Sequence, residues 1–171
     1  MGLTLTPFTV AGKVNSGAFQ KSCAIAQSCS ASASASILPL LPADYEKLLL
    51  ELQVAHGGPA YLHQASVVVY SEQAGFIGDD AAFVRWLESN GVRGIAASTN
   101  SNGKQPSWDE VAEQQYQSLL TESGRTFAFL ELDADGEGSI GRLVFELFPD
   151  LAPKTCDNVR ARHNSRPHDA T

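Results

Sequence analysis

The stretch "SVVVYSEQAGFIGDDAAFVRWL", residues 66–87, carries the strongest structural pattern of the chain. Residues 66–70 form a nearly continuous apolar run, which is typical of a strand covered on both faces of its sheet. Residues 71–75 predict a turn, and Phe76 begins a second apolar run that predicts a returning strand. The first half of the stretch therefore predicts a strand, a turn and a second strand.

A helix completes the same stretch. Either Asp79 or Asp80 can cap its first turn, and Gly91 can end it. Two carboxylates at the start of a helix are expected first of all to act as caps that interact with the helix dipole. The side chains expected to face inward recur at helical spacing and are Phe83, Trp86 and Leu87.

The residues before this stretch predict a strand, a helix and another strand. Residues 8–14 alternate in polarity and predict the first strand, and Ser16 can cap the helix that follows. The inward side chains of that helix are Phe19, Cys23 and Ala26. After a run of small residues that is expected to form a loop, residues 37–41 predict a short strand weakened by its proline.

A second helix, "ADYEKLLLELQVAHGG", follows and is expected to end at Gly57. Its predicted apolar face consists of Leu48, Leu49, Leu52 and Ala55. Two histidines, His56 and His63, lie on either side of the next turn, and without a nearby third ligand we interpret them as loop residues and not as a metal site. The first 91 residues thus predict the order β-α-β-α-β-β-α.

This order of elements resembles the thioredoxin/glutaredoxin-like fold and implies an α/β domain over residues 1–93. The local resemblance lies in Gly75, Ile77, Gly78, Asp79 and Asp80. The Cys-x-x-Cys motif of that family would fall at residues 15–19, which read Asn-Ser-Gly-Ala-Phe, and its proline before the third strand is replaced by Ala65 and Ser66. A domain without a thiolate at the helix start is expected to have no thiol-exchange chemistry.

An alternative within this resemblance is a glutaredoxin-like glutathione- or thiol-binding module. In that case the helix amino terminus at residues 78–80 would hold a small anion. The three cysteines, Cys23, Cys29 and Cys156, do not have the paired spacing of a disulfide framework, so free thiols are expected. A spacing of six residues is expected to point Cys23 and Cys29 to different faces of their helix.

Residues 94–106 are polar and rich in turn formers, which predicts a linker. A connecting helix is predicted over residues 107–124, because Ser107 and Glu110 have the spacing of a capping box and Ser123-Gly124 can end the helix. Its expected apolar side consists of Trp108, Val111, Ala112 and Leu119.

The segment "LDADGEGSIGRLVFE", residues 132–146, begins like a calcium-binding loop, with acidic and glycine positions at matching offsets: Asp133, Asp135, Gly138 and Ile140. The last ligand position holds Val144 where a bidentate glutamate is required. The flanking residues alternate like strands, so we predict a β-hairpin whose turn is Asp133–Ser139 and no metal site.

Residues 127–161 resemble the beginning of a cyclophilin-type peptidyl-prolyl cis-trans isomerase. The matching elements are Gly141-Arg142, the run Val144–Phe148, Asp150, Pro153-Lys154-Thr155, Asn158 and Arg160-Ala161. The resemblance implies a β-barrel enzyme that needs no cofactor. It stops after Ala161, so the chain is expected to be a truncated form with an incomplete barrel of one hairpin. No catalytic residue of the family can be placed here, and neither Arg142 nor Arg160 has the context of the catalytic arginine.

The chain has 171 residues with a net charge of −7, and its mean hydropathy is −0.11. Because nucleic acids and anionic membranes attract basic surfaces, an acidic chain favours neither as a partner. No apolar run reaches the length of a membrane-spanning helix, and no secretory signal is recognisable, so a cytoplasmic location is expected.

The sequence therefore predicts an α/β fold with residues 125–161 as the cyclophilin-like fragment and residues 162–171 as a disordered tail. The expected function is that of a catalytically inactive cyclophilin-like protein with an interaction or scaffold role and protein partners. The alternative is an active peptidyl-prolyl isomerase of which this chain is a fragment. No cofactor, metal or catalytic residue is predicted.

Overall fold

A computed structural model describes residues 5–29, 34–92, 107–134 and 138–164. The chain divides into two compact units, Met1–Leu119 and Leu120–Thr171, which we describe separately. The fold is mixed α/β with a four-stranded and a two-stranded sheet, and neither sheet closes into a barrel within the described ranges. The predicted linker at residues 94–106 lies outside the described residues.

The first unit has the predicted order of elements. Its strands are β1 (Phe8–Lys13), β2 (Ala35–Leu40), β3 (Val67–Ser71) and β4 (Gly75–Gly78). Its helices are α1 (Gly17–Ser28), α2 (Pro42–His56), α3 (Asp80–Ser89) and α4 (Trp108–Glu122), the last of which ends in the second unit. A short 3₁₀ turn, Gly58–Leu62, lies between α2 and β3.

The four strands are arranged in the order β2-β1-β3-β4. Strand β1 runs parallel to β2 and antiparallel to β3, and β4 returns antiparallel to β3. The connection from β1 through α1 to β2 is a parallel crossover, which needs a helix to span it. Strand β3 therefore lies inside the sheet, as its continuous apolar run predicted.

Alternate side chains of β3 enter two separate cores. Val67 and Val69 pack with α1 and α3 on one face, where Phe19 and Phe83 are buried. Val68 packs on the other face with residues of α2, including Leu49. All three valines are fully buried, and this two-sided burial is the physical reason for the apolar run at 66–70.

The predicted apolar face of α2 was partly wrong. Leu49 and Leu52 are buried, but Ala55 is exposed, and Tyr45 is buried in its place. The buried stripe follows the offsets i, i+4 and i+7 from Tyr45, and its next position is His56. Residue 55 lies about 100° away from that stripe, which explains its exposure.

Two predicted helix caps are confirmed. The Phe19 amide donates to Ser16 Oγ over 3.4 Å at the start of α1. At the start of α3 the Ala82 amide donates to Asp79 Oδ1 over 2.8 Å, which identifies Asp79 and not Asp80 as the cap. These contacts satisfy amides that have no partner inside their own helix.

The prediction that Cys23 and Cys29 point to different faces was wrong. Both thiols are buried in the core between the sheet, α1 and α3. Cys29 is the residue that caps the carboxyl end of α1, where its amide bonds to Ala26 and Ile25 carbonyls. Because Cys29 follows the last helical residue, a helical projection from Cys23 does not fix the direction of its side chain.

The second unit contains the predicted hairpin. Strands β5 (Thr126–Ala134) and β6 (Gly138–Leu147) pair antiparallel, and α5 (Pro153–Asn164) follows. The predicted turn Asp133–Ser139 was too long, because a register shift after Leu132 lets Asp133 pair with Ser139. After this bulge the ladder continues by two pairs, Asp133 with Ser139 and Ala134 with Gly138.

Helix α5 begins at Pro153, as predicted, but it continues to Asn164. The first three residues of the predicted tail are therefore helical, and residues 165–171 lie outside the described part of the chain. The tail was predicted from missing apolar periodicity, which indicates an unburied segment and not the end of a helix. No glycine or proline occurs in α5 after Pro153 to break it.

Candidate functional site

The β5–β6 hairpin has one face that is apolar along its length. Residues paired across antiparallel strands point to the same side, and the pairs alternate between sides along the ladder. The pairs Ala128–Phe145 and Leu130–Leu143 share one side with Leu132 and Leu147, and we name these six residues the apolar face. Leu130, Leu143 and Phe145 are 51%, 46% and 48% exposed.

The opposite side of the hairpin, the charged face, carries ion pairs between its apolar residues. Arg142 Nη2 lies 2.5 Å from Glu131 Oε1 across the ladder. The same guanidinium lies over the Phe129 ring, 4.6 Å from its centroid. Cation–π stacking of this kind covers part of an aromatic ring with a charged group. The charged face therefore mixes ion-paired and apolar side chains, including Phe129 at 44% exposure, whereas the apolar face carries no charged group.

Two further arginines of the second unit are also paired. Arg125 Nη1 lies 3.5 Å from Glu146 Oε2, and Arg160 Nη1 lies 3.8 Å from Asp157 Oδ1. Such exposed pairs contribute only about 0–1 kcal/mol each to stability. These pairs place the charges of Arg125 and Arg160 beside carboxylates of the second unit.

A cavity of about 550 Å³ opens where the hairpin joins the following turn. Its walls include Thr126, Leu147, Phe148 and Leu151. Phe148 is 53% and Leu151 83% exposed, and the charged residues Arg125, Glu146 and Asp150 also line this cavity. Phe148 and Leu151 thus add to the exposed apolar side chains of the second unit.

In the first unit, the start of α1 has no thiol. Cys23 lies inside α1, and burial raises the pKa of its thiol to about 12. A thiolate is the nucleophile in exchange reactions, and a raised pKa leaves almost none at neutral pH. The geometry around Cys23 therefore suits a core residue.

The two histidines converge on one aromatic ring, which the loop interpretation missed. His56 ends α2, and the His56 and Phe76 ring centroids are 6.3 Å apart. His63 meets the same ring edge-on at 5.5 Å. Among residues that the structure describes, no group of three or more potential ligands is placed to hold a metal ion. In the sequence, the only signal of this contact is the aromatic residue Phe76 at the start of β4, because its partners His56 and His63 lie in an earlier segment of the chain.

A cavity of about 420 Å³ lies at the start of α3, where the alternative interpretation placed a small anion. His63, Phe76, Gly78 and Arg85 contribute to its lining. Asp79 also lines it and already caps the helix with its own carboxylate. A bound anion would have to approach this negative charge, which opposes the anion-binding interpretation.

Comparison with known proteins gives a likeness that covers part of the chain. No family model matches the chain. A stretch of 53 residues is 38% identical to a human protein named "Probable inactive peptidyl-prolyl cis-trans isomerase-like 6". The stretch is 31% of this chain but only 17% of that relative's length. The likeness supports a relationship to cyclophilin-like proteins at most. Within the described ranges, the helices are too short or too polar to cross a membrane.

Proposed function

We propose that this chain is a cyclophilin-like protein without isomerase activity of its own, and that it acts by binding a protein partner in the cytoplasm. The family assignment is supported by the partial likeness to the human relative, whose name includes the word inactive. The motif order of residues 127–161 supports it further. The proposed role is interaction and not catalysis.

The first unit contributes a thioredoxin-like scaffold without redox chemistry in this proposal. The sheet order β2-β1-β3-β4, with α1 and α3 on one face and α2 on the other, supports that assignment. The buried Cys23 thiol, with its pKa of about 12, argues against the glutathione- or thiol-binding alternative. In this proposal the first unit would therefore act as a scaffold, and another part of the chain would bind the partner.

The observation that carries the proposed role is the apolar face of the β5–β6 hairpin. An isolated two-stranded hairpin is marginally stable in water and gains stability when one face is covered. Leu130, Leu143 and Phe145 are each about half exposed, although their neighbours across the ladder are also apolar. Covering these side chains would contribute about 25 cal/mol per Å² of apolar area removed from water.

The chemistry of the hairpin selects an extended, uncharged protein segment as the partner. Both strands have an outer edge with backbone groups that can pair with another strand. The apolar face contains no charged side chain to attract an ionic partner. A partner strand with alternating apolar residues would pair along an edge and extend the covered surface.

Two measurements test this proposal on the full chain. A short fluorescent peptide of alternating valine and threonine is titrated with the wild type, with Leu143→Lys and with the control Arg142→Gln on the charged face. We expect Leu143→Lys to weaken binding at least about tenfold, because a lysine must be desolvated there. Arg142→Gln should bind like the wild type. Equal binding by Leu143→Lys, with unchanged circular dichroism, would refute the interaction role.

The second measurement concerns catalysis. Cis-to-trans isomerisation of a proline-containing model peptide is followed with and without the full chain. We expect isomerisation at the uncatalysed rate, with a time constant of about tens to hundreds of seconds at 25 °C. Acceleration that grows with protein concentration would replace the inactive assignment by the isomerase alternative.

A further inference from the structure

The first turn of α4 lies against the amino-terminal end of α1. A Cβ atom added to Gly17 would clash with Asp109 Oδ1 and would stand 3.3 Å from Trp108 Cβ. Both contacts would be closer than the usual separation of non-bonded atoms. Gly17 is the first residue of α1, so α4 approaches this helix end as closely as a glycine permits.

Asp109 brings to α1 a charge that α1 itself does not have. The first turn of α1 contains no acidic residue, whereas α4 has two in its first turn, Asp109 and Glu110. A carboxylate near a helix amino terminus is stabilised by the positive end of the helix dipole. The Asp109 side chain therefore lies beside the helix end where the α1 dipole favours a negative charge.

Trp108 provides the apolar part of the same contact. Its side chain packs against the core that contains Phe19 and Phe83, alongside Ala18. Ala112, one turn later, is buried, and the two residues after it are exposed. Trp108 and Ala112, one turn apart on the same face of α4, are thus the side chains that bury its start.

The indole N–H of Trp108 destabilises the closed contact. Trp108 Nε1 is buried and has no hydrogen-bond acceptor among the described protein atoms. A buried donor without an acceptor loses its hydrogen bonds to water and destabilises the arrangement that buries it. Moving the indole into water would restore those bonds at the expense of its apolar packing.

We propose that residues 107–112, which are Ser107 and the first five residues of α4, form a releasable strap over the amino-terminal end of α1. Asp109 and the body of Trp108 hold the strap closed, and the unpartnered Trp108 Nε1 favours its release. Opening uncovers Gly17, Ala18 and the adjoining part of the core. The strap thereby controls access to this end of the first unit, independently of the hairpin and its proposed partner.

Acrylamide quenching of Trp108 fluorescence tests the strap. A Trp86→Phe background leaves Trp108 as the sole tryptophan of the chain. Asp109→Asn removes the charge beside Gly17, and the matched control Glu110→Gln removes the neighbouring charge of the same helix turn. We expect Asp109→Asn to raise the open population, and with it the apparent quenching constant of Trp108, about two- to fivefold. Glu110→Gln should leave both unchanged.

Hydrogen exchange gives a second readout without the Trp86→Phe substitution. Asp109→Asn should increase exchange of the amides of residues 17–20 and of residues 108–112 by a similar factor, whereas Glu110→Gln should not. Added salt should reduce the difference between wild type and Asp109→Asn, since it screens the carboxylate. Equal effects of the two substitutions in either readout, or a Trp108 that is as accessible to acrylamide in the unsubstituted strap as in free tryptophan amide, would overturn the proposal.

Discussion

The Tyr45 hydroxyl and the His63 imidazole are hydrogen-bonded to each other across the α2 side of the sheet, with 3.1 Å between Oη and Nε2. The hydroxyl donates its only hydrogen to the Ala65 carbonyl over 2.8 Å. The hydroxyl oxygen therefore accepts from Nε2–H, which assigns the His63 tautomer. This arrangement connects α2 to the segment that enters β3.

His63 should make the stability of the first unit depend on pH. Burial lowers the pKa of His63, and nearby carbonyls and the Asp79 charge oppose this shift only in part. Between the lowered pKa and the unfolded value near 6.5, the unfolded chain binds more protons than the folded one. The free energy of unfolding should therefore have its full value above about pH 6.5. It should decrease as the pH falls from 6.5 towards the lowered pKa of His63.

Urea denaturation at pH values from 5 to 8 measures this effect, with pH chosen on both sides of the usual histidine value. In His63→Gln the free energy of unfolding should no longer fall with pH below about 6.5. The control His56→Gln should keep the pH dependence of the wild type. A wild-type slope that survives His63→Gln unchanged would contradict the assignment.

Tyr45→Phe should lower stability without altering the packing of the ring. The ring stays buried, but the Ala65 carbonyl and His63 Nε2 each lose the hydroxyl as a partner. We expect a loss of about 1–3 kcal/mol, because buried polar groups left without partners retain their desolvation cost.

The matched control for this substitution is Tyr61→Phe, since Tyr61 is 60% exposed. It should change the free energy of unfolding by no more than about 0.5 kcal/mol, as is usual at the surface. Equal midpoints in urea for the two variants would show that the Tyr45 hydroxyl does not stabilise the fold.

The cap of α3 distinguishes two adjacent aspartates that the sequence left equivalent. Asp79→Ala should cost about 1 kcal/mol, because the Ala82 amide loses its acceptor at 2.8 Å. Asp80→Ala removes only a first-turn charge and should cost about 0.3–1 kcal/mol at low ionic strength. Thermal unfolding at high salt separates them, since only the Asp80 effect should nearly disappear; two effects with the same salt dependence would contradict the cap assignment.

The predictable part of this fold is the part encoded in local patterns. The apolar run at 66–70 identified β3 because both of its faces are buried, and Ser16 was identified as a cap because its bond to Phe19 is local. Contacts between segments that are distant in the chain leave no pattern of this kind in the sequence. Neither the meeting of His63 with Tyr45 nor that of Gly17 with Asp109 leaves a repeat in the sequence that could reveal it.

The candidate site shows the same division between local and tertiary information. The hairpin was predictable because β5 and β6 are adjacent in the chain and alternate in polarity. Which face would be uncovered was not predictable, because it depends on the register and on what packs beside the hairpin. The pairing of Arg142 with Glu131 became visible only with that register.

Cys23 should be inert toward alkylation in the folded chain. With a pKa of about 12, its thiolate fraction at pH 8 is on the order of one in ten thousand, and its burial also blocks the reagent. We expect iodoacetamide to modify Cys23 at least about a thousandfold more slowly than a free cysteine, and at the free rate once urea unfolds the chain. Peptide mass spectrometry distinguishes this thiol from Cys29 and Cys156. Fast modification of Cys23 under native conditions would reopen the thiol-binding alternative, because it would require a thiolate that the core around α1 does not allow.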